Sequence, residues 1–226
     1  MKIDQGFLIS KIKYNENSII AEFYTKNNGR VSGIIFGGMS KKIKGYLQIG
    51  NLLHLNLNSK NDSKIFSIKA EIIKAYTPIY FNNQKKLHCI SSAMSLIKNL
   101  TPENEINNDI FNLVQNLFHF LDGNKWLKNY ITWELTLLKH LGYDLNLKNI
   151  VHKEKINNNE IYYVKSSTQK KTVPNFLVNE NIENVNYIEI LKGFTILSNY
   201  MEKNIFTPNN IKIPIQRKEF ENLLNK

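Results

Sequence analysis

Hydrophobic residues in the first 80 positions recur at the spacing of β-strands. In residues 51–58, Leu53, Leu55 and Leu57 alternate with polar residues, as in a strand with one buried face. Four other apolar stretches are bounded by turns rich in asparagine, glycine or serine. The pattern predicts strands over residues 7–14, 18–25, 30–36, 51–58 and 65–76. Five antiparallel strands at this spacing are typical of a small closed barrel, of which the OB-fold is the commonest nucleic-acid-binding example.

Beyond Pro78 the hydrophobic spacing changes to three and four, the period of an amphipathic helix. The predicted helices span residues 84–100, 106–121, 125–140, 187–200 and 215–224. Gly142 stands where a C-cap glycine is expected after the third helix. Trp126 and Trp133 lie seven apart on that helix, which predicts that both pack in a core.

Residues 146–182 are polar and rich in asparagine, apart from a short β-prone piece at 161–164. This composition predicts a loop-rich insertion. The predicted fold class is therefore α+β, with an N-terminal five-stranded OB-fold β-barrel over residues 1–80 and a C-terminal α-helical domain over residues 81–226. A chain of 226 residues is long enough for two domains that each bury a core.

The composition indicates the compartment and the kinds of site that we expect for the protein. No apolar run approaches the roughly 20 residues that a membrane span needs, so no membrane association is expected. The first residues lack the apolar core and cleavage site of a secretory signal, which favours the cytoplasm. Cys89 is the only cysteine, so it cannot form an intrachain disulfide or a multi-cysteine zinc site, and it is expected in the core.

The net charge of +11 points to a polyanionic partner such as nucleic acid. Lysine, asparagine and isoleucine are all abundant, as an AT-rich coding bias would produce, so the distribution of charge is better evidence than its total. Residues 1–80 hold 12 Lys and Arg against 5 Asp and Glu, whereas residues 81–226 hold 18 against 14. The predicted barrel thus carries most of the excess.

Residues 29–50 combine six of the ten glycines with a cluster of basic side chains. A strand leads into Gly37 and Gly38, and a lysine-rich segment follows that we expect to be a loop. Ammonium and hydroxyl donors in such a loop suit phosphate oxygens, although lysines on a turn are more often simply solvated. The candidate DNA-binding residues are Lys11, Lys13, Arg30, Ser40, Lys41, Lys42, Lys44 and Tyr46.

The sequence offers no catalytic constellation, so we expect neither an enzyme nor a cofactor. Met39 follows Gly38 where a phosphate-binding P-loop needs lysine, and no histidine pair has the helical spacing of a zinc motif. Tyr24, Tyr46 and Phe66 are candidates for stacking on unpaired bases. Small barrels use aromatic residues to fill their interiors, so the core is the more frequent place for each.

Two blocks of sequence resemble a known family. The first contains Asn28-Gly29, Gly33, Gly37-Gly38-x-Ser40 and Leu47-Gln48-x-Gly50. The second, residues 134–147, is similar to the pattern E-L-x-L-L-x-x-L-G-(F/Y)-x-L-x-L. Together with the order of barrel and helices, these blocks resemble the RecO family of bacterial DNA repair proteins.

The resemblance implies a non-enzymatic recombination mediator, monomeric on its own. Such proteins bind single- and double-stranded DNA, anneal complementary strands and, with RecR, help replace single-stranded DNA-binding protein, which has an acidic C-terminal tail, by RecA. Many members carry a zinc site, but Ile150 stands where its first cysteine would fall, so no metal is expected here. The alternative function is a protein-interaction adaptor whose basic surface receives an acidic tail, with DNA binding incidental.

Overall fold

A computed structural model describes residues 2–58, 66–156, 159–165, 170–179, 182 and 184–226 of the chain. Contacts between residues divide the chain into two compact units. The first comprises residues 1–118, 214–224 and 226, and the second comprises residues 119–213 and 225. The predicted domain boundary near residue 80 stays a prediction.

Five strands of the first unit form a closed barrel in the order β1-β2-β3-β5-β4. The strands are β1 (Lys2–Lys13), β2 (Ile19–Thr25), β3 (Gly29–Ile35), β4 (Leu52–Asn58) and β5 (Phe66–Lys74). This confirms the OB-fold barrel and the α+β class. One detail of the prediction was wrong, because β3 and β5 pair in parallel. A closed ring of five strands cannot alternate in direction all the way round, so one neighbouring pair must be parallel.

The interior of the barrel is filled by alternate side chains of its strands. In β4, Leu53, Leu55 and Leu57 are buried between partly exposed polar residues, as their alternation predicts. The remaining buried core includes Leu8, Ile19, Ala21, Phe23, Val31, Ile35, Leu47, Ile68 and Ala70. A short helix, α1 (Lys41–Tyr46), connects β3 to β4.

Three further helices belong wholly or mainly to the first unit. They are α2 (Gln84–Leu100), α3 (Asn108–Phe120) and α8 (Ile215–Leu224), and their bounds agree with the predicted helices to within two residues. A single 3-10 turn at Thr77–Tyr80 joins β5 to α2. Helix α2 packs against β1 and α8. Phe7 of β1 lies 5.3 Å from Phe111 and 5.8 Å from Phe118, measured between ring centroids, so α3 shares this core.

The second unit contains α4 (Trp126–His140) and α7 (Tyr187–Met201), which pack on each other. Helix α4 ends in a Schellman motif, because Gly142 has a φ of +82° and the amide of Tyr143 donates to the carbonyl of Leu138. The predicted C-cap is thereby confirmed. Trp133 is buried as predicted, whereas Trp126 is only partly buried. A π-helical turn at Glu202–Phe206 follows α7.

The prediction of a loop-rich insertion over residues 146–182 was wrong. The segment contains a three-stranded antiparallel sheet of β6 (His152–Ile156), β7 (Asn159–Lys165) and β8 (Lys170–Val173), flanked by the short helices α5 (Leu147–Ile150) and α6 (Asn175–Val178). Ion pairs between exposed side chains join its strands. The Nζ atom of Lys153 lies 2.6 Å from a carboxylate oxygen of Glu160, and Lys170 pairs with Glu154 at 3.1 Å. Polar strand pairs give no hydrophobic alternation for a sequence to display.

Candidate nucleic-acid interface

The lysine-rich segment after β3 is a helix, which corrects the predicted loop. Ser40 is the N-cap of α1, and its side chain accepts from the amide of Ile43 at 3.5 Å. Ile43 and Tyr46 pack against the barrel core, and Leu47 is fully part of it. Residues three and four apart share one face of a helix, so this anchored side leaves Lys41, Lys42 and Lys44 exposed to solvent.

Glycines fix the turn that precedes α1. Gly37 has a φ of +70°, a conformation that side chains disfavour. A Cβ atom on Gly38 would lie 2.7 Å from Ile19, so glycine allows this turn to approach β2 closely. The amide of Met39 also donates to the carbonyl of Asn17 at 3.3 Å. Because Ile19 pairs with Lys13, the turn and the end of β1 lie at the same end of the barrel.

Two candidates, Lys11 and Tyr46, donate hydrogen bonds to backbone carbonyls of the protein itself. The ammonium of Lys11 donates to the carbonyl of Leu47, and burial, followed by the charge of Lys44, lowers the pKa of Lys11. The hydroxyl of Tyr46 donates to the carbonyl of Ala70 at 2.9 Å, and burial raises the pKa of Tyr46. These bonds hold the end of α1 and the segment after it against the barrel. Lys13, by contrast, is exposed.

Arg30 lies apart from the lysines, in a network on the outer face of β2 and β3. Its Nε donates to the carbonyl of Thr101 at 3.0 Å, and its Nη1 lies 3.4 Å from carboxylate oxygens of both Glu22 and Glu103. Lys98 of α2 pairs with the same Glu22 at 2.7 Å. The C-terminal end of α2 and the segment after it therefore cover this part of the outer face of the barrel.

The three predicted stacking aromatics pack into or against the core. Tyr24 is 1% exposed, and its hydroxyl donates to the carbonyl of Asn107 at 3.3 Å. Burial, with the charge of Glu105, raises the pKa of Tyr24 to about 12. Phe66 and Tyr46 are partly buried against the barrel core. Core packing is thus confirmed for Tyr24, and the hypothesis that it stacks on bases was wrong.

On the described part of the barrel, two exposed aromatic residues were missed by the sequence analysis. Tyr14 follows β1 and is 56% exposed, and Phe36 follows β3 and is 65% exposed. For Phe36 the signal was present in the sequence, because the predicted strand over residues 30–36 puts it on the same face as Ile34.

Cys89 is buried, as predicted. Among the described residues, no three His, Cys, Asp or Glu side chains gather where they could hold a metal ion. In the same part of the chain, no helix has both the length and the apolarity to cross a membrane. The expectation of no zinc stays a prediction.

Known proteins match this chain over nearly its full length. The family described as "Recombination protein O N terminal" matches residues 1–76, and that described as "Recombination protein O C terminal" matches residues 82–208. The DNA repair protein RecO of Rickettsia conorii is 30% identical over 237 residues, with 98% of each chain covered. The corresponding protein of Orientia tsutsugamushi is 29% identical over 227 residues, covering 95% of this chain and 93% of that one.

Proposed function

Because the chain belongs to the RecO family of DNA repair and recombination proteins, we propose that it is a recombination mediator that binds DNA through lysines on its barrel. In this role it anneals complementary strands without catalysing a reaction. With RecR, it assists the loading of RecA onto DNA that is covered by single-stranded DNA-binding protein.

The observation that carries the proposal is the arrangement of α1. One side of this helix is anchored in the barrel, and the other presents Lys41, Lys42 and Lys44, with Lys13 at the same end of the barrel. We call these four residues the lysine surface. Lysine is a flexible point charge, which suits phosphate oxygens and carries no base specificity.

The eight candidate residues fall into two groups in this proposal. Lys13, Lys41, Lys42 and Lys44 contact phosphates directly, and the exposed hydroxyl of Ser40, whose oxygen accepts from Ile43, donates its proton to one. Lys11, Tyr46 and Arg30 already bond to protein groups, so we assign them to positioning the elements that carry the phosphate-binding side chains.

A salt titration of DNA binding tests the lysine surface. Changing Lys41, Lys42 and Lys44 together to alanine should weaken the binding of unrelated oligonucleotides alike. On a single strand, each neutralised phosphate adds about 0.7 to the magnitude of the slope of log K against log salt, so three fewer neutralised phosphates should lower it by about 2. Fluorescence anisotropy over a range of salt concentrations measures both quantities.

A matched control removes the same charge elsewhere. Lys212, Lys218 and Lys226 are exposed and lie outside the barrel, so their joint change to alanine lowers the net charge equally. The control variant should keep the parental slope. If the slope fell equally in both triple variants, net charge alone would explain the binding. An unchanged slope in the α1 variant would remove α1 from the site.

The same titration separates the mediator from the adaptor. A mediator that neutralises several phosphates shows affinity for DNA at physiological salt that falls steeply and linearly on logarithmic axes. An adaptor for an acidic protein tail would show little DNA affinity under those conditions.

A further inference from the structure

The outer face of the barrel carries an apolar row that the lysine surface does not explain. Ile12 of β1 pairs with Ile20 of β2, which pairs with Ile34 of β3. The strand neighbours Ile19 and Ile35 are buried in the barrel, so these three side chains lie on its outside. Ile12 is 59% exposed.

Tyr14 and Phe36 extend this row at the same end of the barrel. Each lies two residues beyond a member of the row, just after the end of its strand, and each ring is exposed. The amide of Tyr14 donates to the carbonyl of Ser18 at 3.0 Å, and Ser18 precedes Ile19, the partner of Ile35. The two aromatics therefore flank the start of β2. We call Ile12, Tyr14, Ile20, Ile34 and Phe36 the aromatic strip.

The aromatic strip lies on the part of the barrel's outer face that the segment after α2, as far as it is described, does not cover. In OB-folds the face of the second and third strands and the loop between the first two strands bind oligonucleotides. Here a group of outer-face residues is already bonded to the protein. Lys98 donates to Ser10 and pairs with Glu22, and Arg30 donates to the carbonyl of Thr101. The exposed Tyr14 and Phe36 lie away from this group, beside the start of β2.

The charges around the strip favour a polyanion over an uncharged apolar partner. Ile34 pairs with Ser67 of β5, and Lys69, two residues further along β5, is exposed. Lys13 adjoins Tyr14 in sequence, and the turn that leads to Lys41 is bonded to Asn17. The hairpin turn itself holds one exposed carboxylate, Glu16.

We infer that Tyr14 and Phe36 form a stacking platform for the unpaired bases of a single DNA strand whose phosphates lie on the flanking lysines. Every base has a π-face, so stacking adds affinity without sequence preference, and a duplex hides those faces. The inference rests on the proposed DNA binding and deepens it, because it gives the barrel a preference for single strands.

The test compares an oligothymidylate with a duplex of the same length in fluorescence anisotropy. Tyr14→Ala and Phe36→Ala should each reduce single-strand affinity by about fivefold or more, the fold-change that corresponds to the lower range of base stacking. Duplex affinity and the salt slope should stay at the parental values, because phosphate contacts are unchanged. Phe81→Ala is the matched control, since Phe81 is an equally exposed ring, 56%, away from the strip.

Conservative variants separate stacking from plain apolar contact. Tyr14→Phe and Phe36→Tyr keep a ring and should keep the affinity, whereas Phe36→Leu keeps an apolar side chain and should weaken binding as alanine does. Parental affinity in Phe36→Leu, equal weakening for single strand and duplex, or unchanged single-strand affinity in both alanine variants would each overturn the platform.

Two further outcomes are distinguishable from these. A shift in oligomeric state of the alanine variants in analytical ultracentrifugation would overturn the platform and assign the strip to self-association. Failure of the platform leaves the effect of the α1 lysines intact, whereas failure of the proposed function abolishes DNA binding by the parental protein.

Discussion

Gly29 shows how single positions hold the barrel against the segment that follows α2. Its φ is +66°, and a Cβ atom there would lie 2.0 Å from the carbonyl oxygen of Glu105. The turn before it is fixed from another side, because the buried carboxylate of Asp4 accepts from the backbone amide of Asn27 at 3.1 Å and from the side-chain amide of Asn28 at 2.6 Å. Neither contact could be inferred from sequence, since each joins residues more than 20 positions apart.

Replacing Gly29 by alanine should lower the free energy of unfolding by about 2 kcal/mol or more. A left-handed conformation costs a non-glycine residue about 1–2 kcal/mol, and the clash with Glu105 adds to that cost. Urea unfolding measures the change in the free energy of unfolding.

Gly45 provides the matched control for that substitution. It sits inside α1, and, apart from its chain neighbours and the backbone of α1, no atom of the described residues lies within 4 Å of the place that a Cβ atom would take. Gly45→Ala should therefore stabilise the protein by about 0.5–1 kcal/mol. Equal effects of the two substitutions would contradict the expectation.

Elements with a hydrophobic period were predictable, and elements held by polar or distant partners were not. Helices α2, α4, α7 and α8 bury one apolar stripe, so their bounds follow from local sequence. Helix α1 is too short for a clear period and depends on packing against the barrel. Contacts between distant residues also limited the prediction of the site. The sequence indicated the lysines but could not show that Arg30 bonds to Thr101.

The sheet of β6, β7 and β8 carries polar side-chain pairs between its strands. Ion pairs join Lys153 to Glu160 and Lys170 to Glu154, and the ammonium of Lys170 lies 4.6 Å from the ring centroid of Tyr163. Exposed ion pairs contribute little each, so the sheet also depends on the packing of β7 against α6, whose Phe176 and Leu177 are buried.

We expect the purified protein to contain no stoichiometric zinc and to keep its melting temperature in a chelator. A structural metal contributes its binding free energy to folding, so its removal would lower the melting temperature. Elemental analysis measures the zinc content, and thermal unfolding with and without EDTA measures the stability. One zinc per chain, or a melting temperature that falls in EDTA, would contradict this expectation.

At the scale of the whole molecule, the excess of positive charge is spread over more than one surface. The lysine surface lies on the barrel, Lys85 and Lys86 begin α2, and Lys170 and Lys171 lie in β8. Two DNA strands repel each other, and a protein that neutralises both at once lowers the cost of bringing them together. This chemistry requires no nucleotide.

The protein should therefore accelerate the annealing of complementary strands without ATP. The rate should fall with added salt, because salt screens the lysines and competes for the phosphates. Changing Lys41, Lys42 and Lys44 to alanine should reduce the rate, whereas the control change of Lys212, Lys218 and Lys226 should not. Trp133→Ala, which removes a buried ring from α4, should act through stability instead. A fluorescence annealing assay at moderate salt measures these rates directly.

Two outcomes of that assay would refute the mechanism. The first is an annealing rate no higher than that of protein-free strands, since charge neutralisation by a bound protein must lower the repulsion that limits the reaction. The second is an absolute requirement for ATP, because energy from a nucleotide implies a catalytic site in place of passive neutralisation. If the annealing rate is unchanged by the α1 substitutions but still falls with salt, other lysines of the chain neutralise the strands.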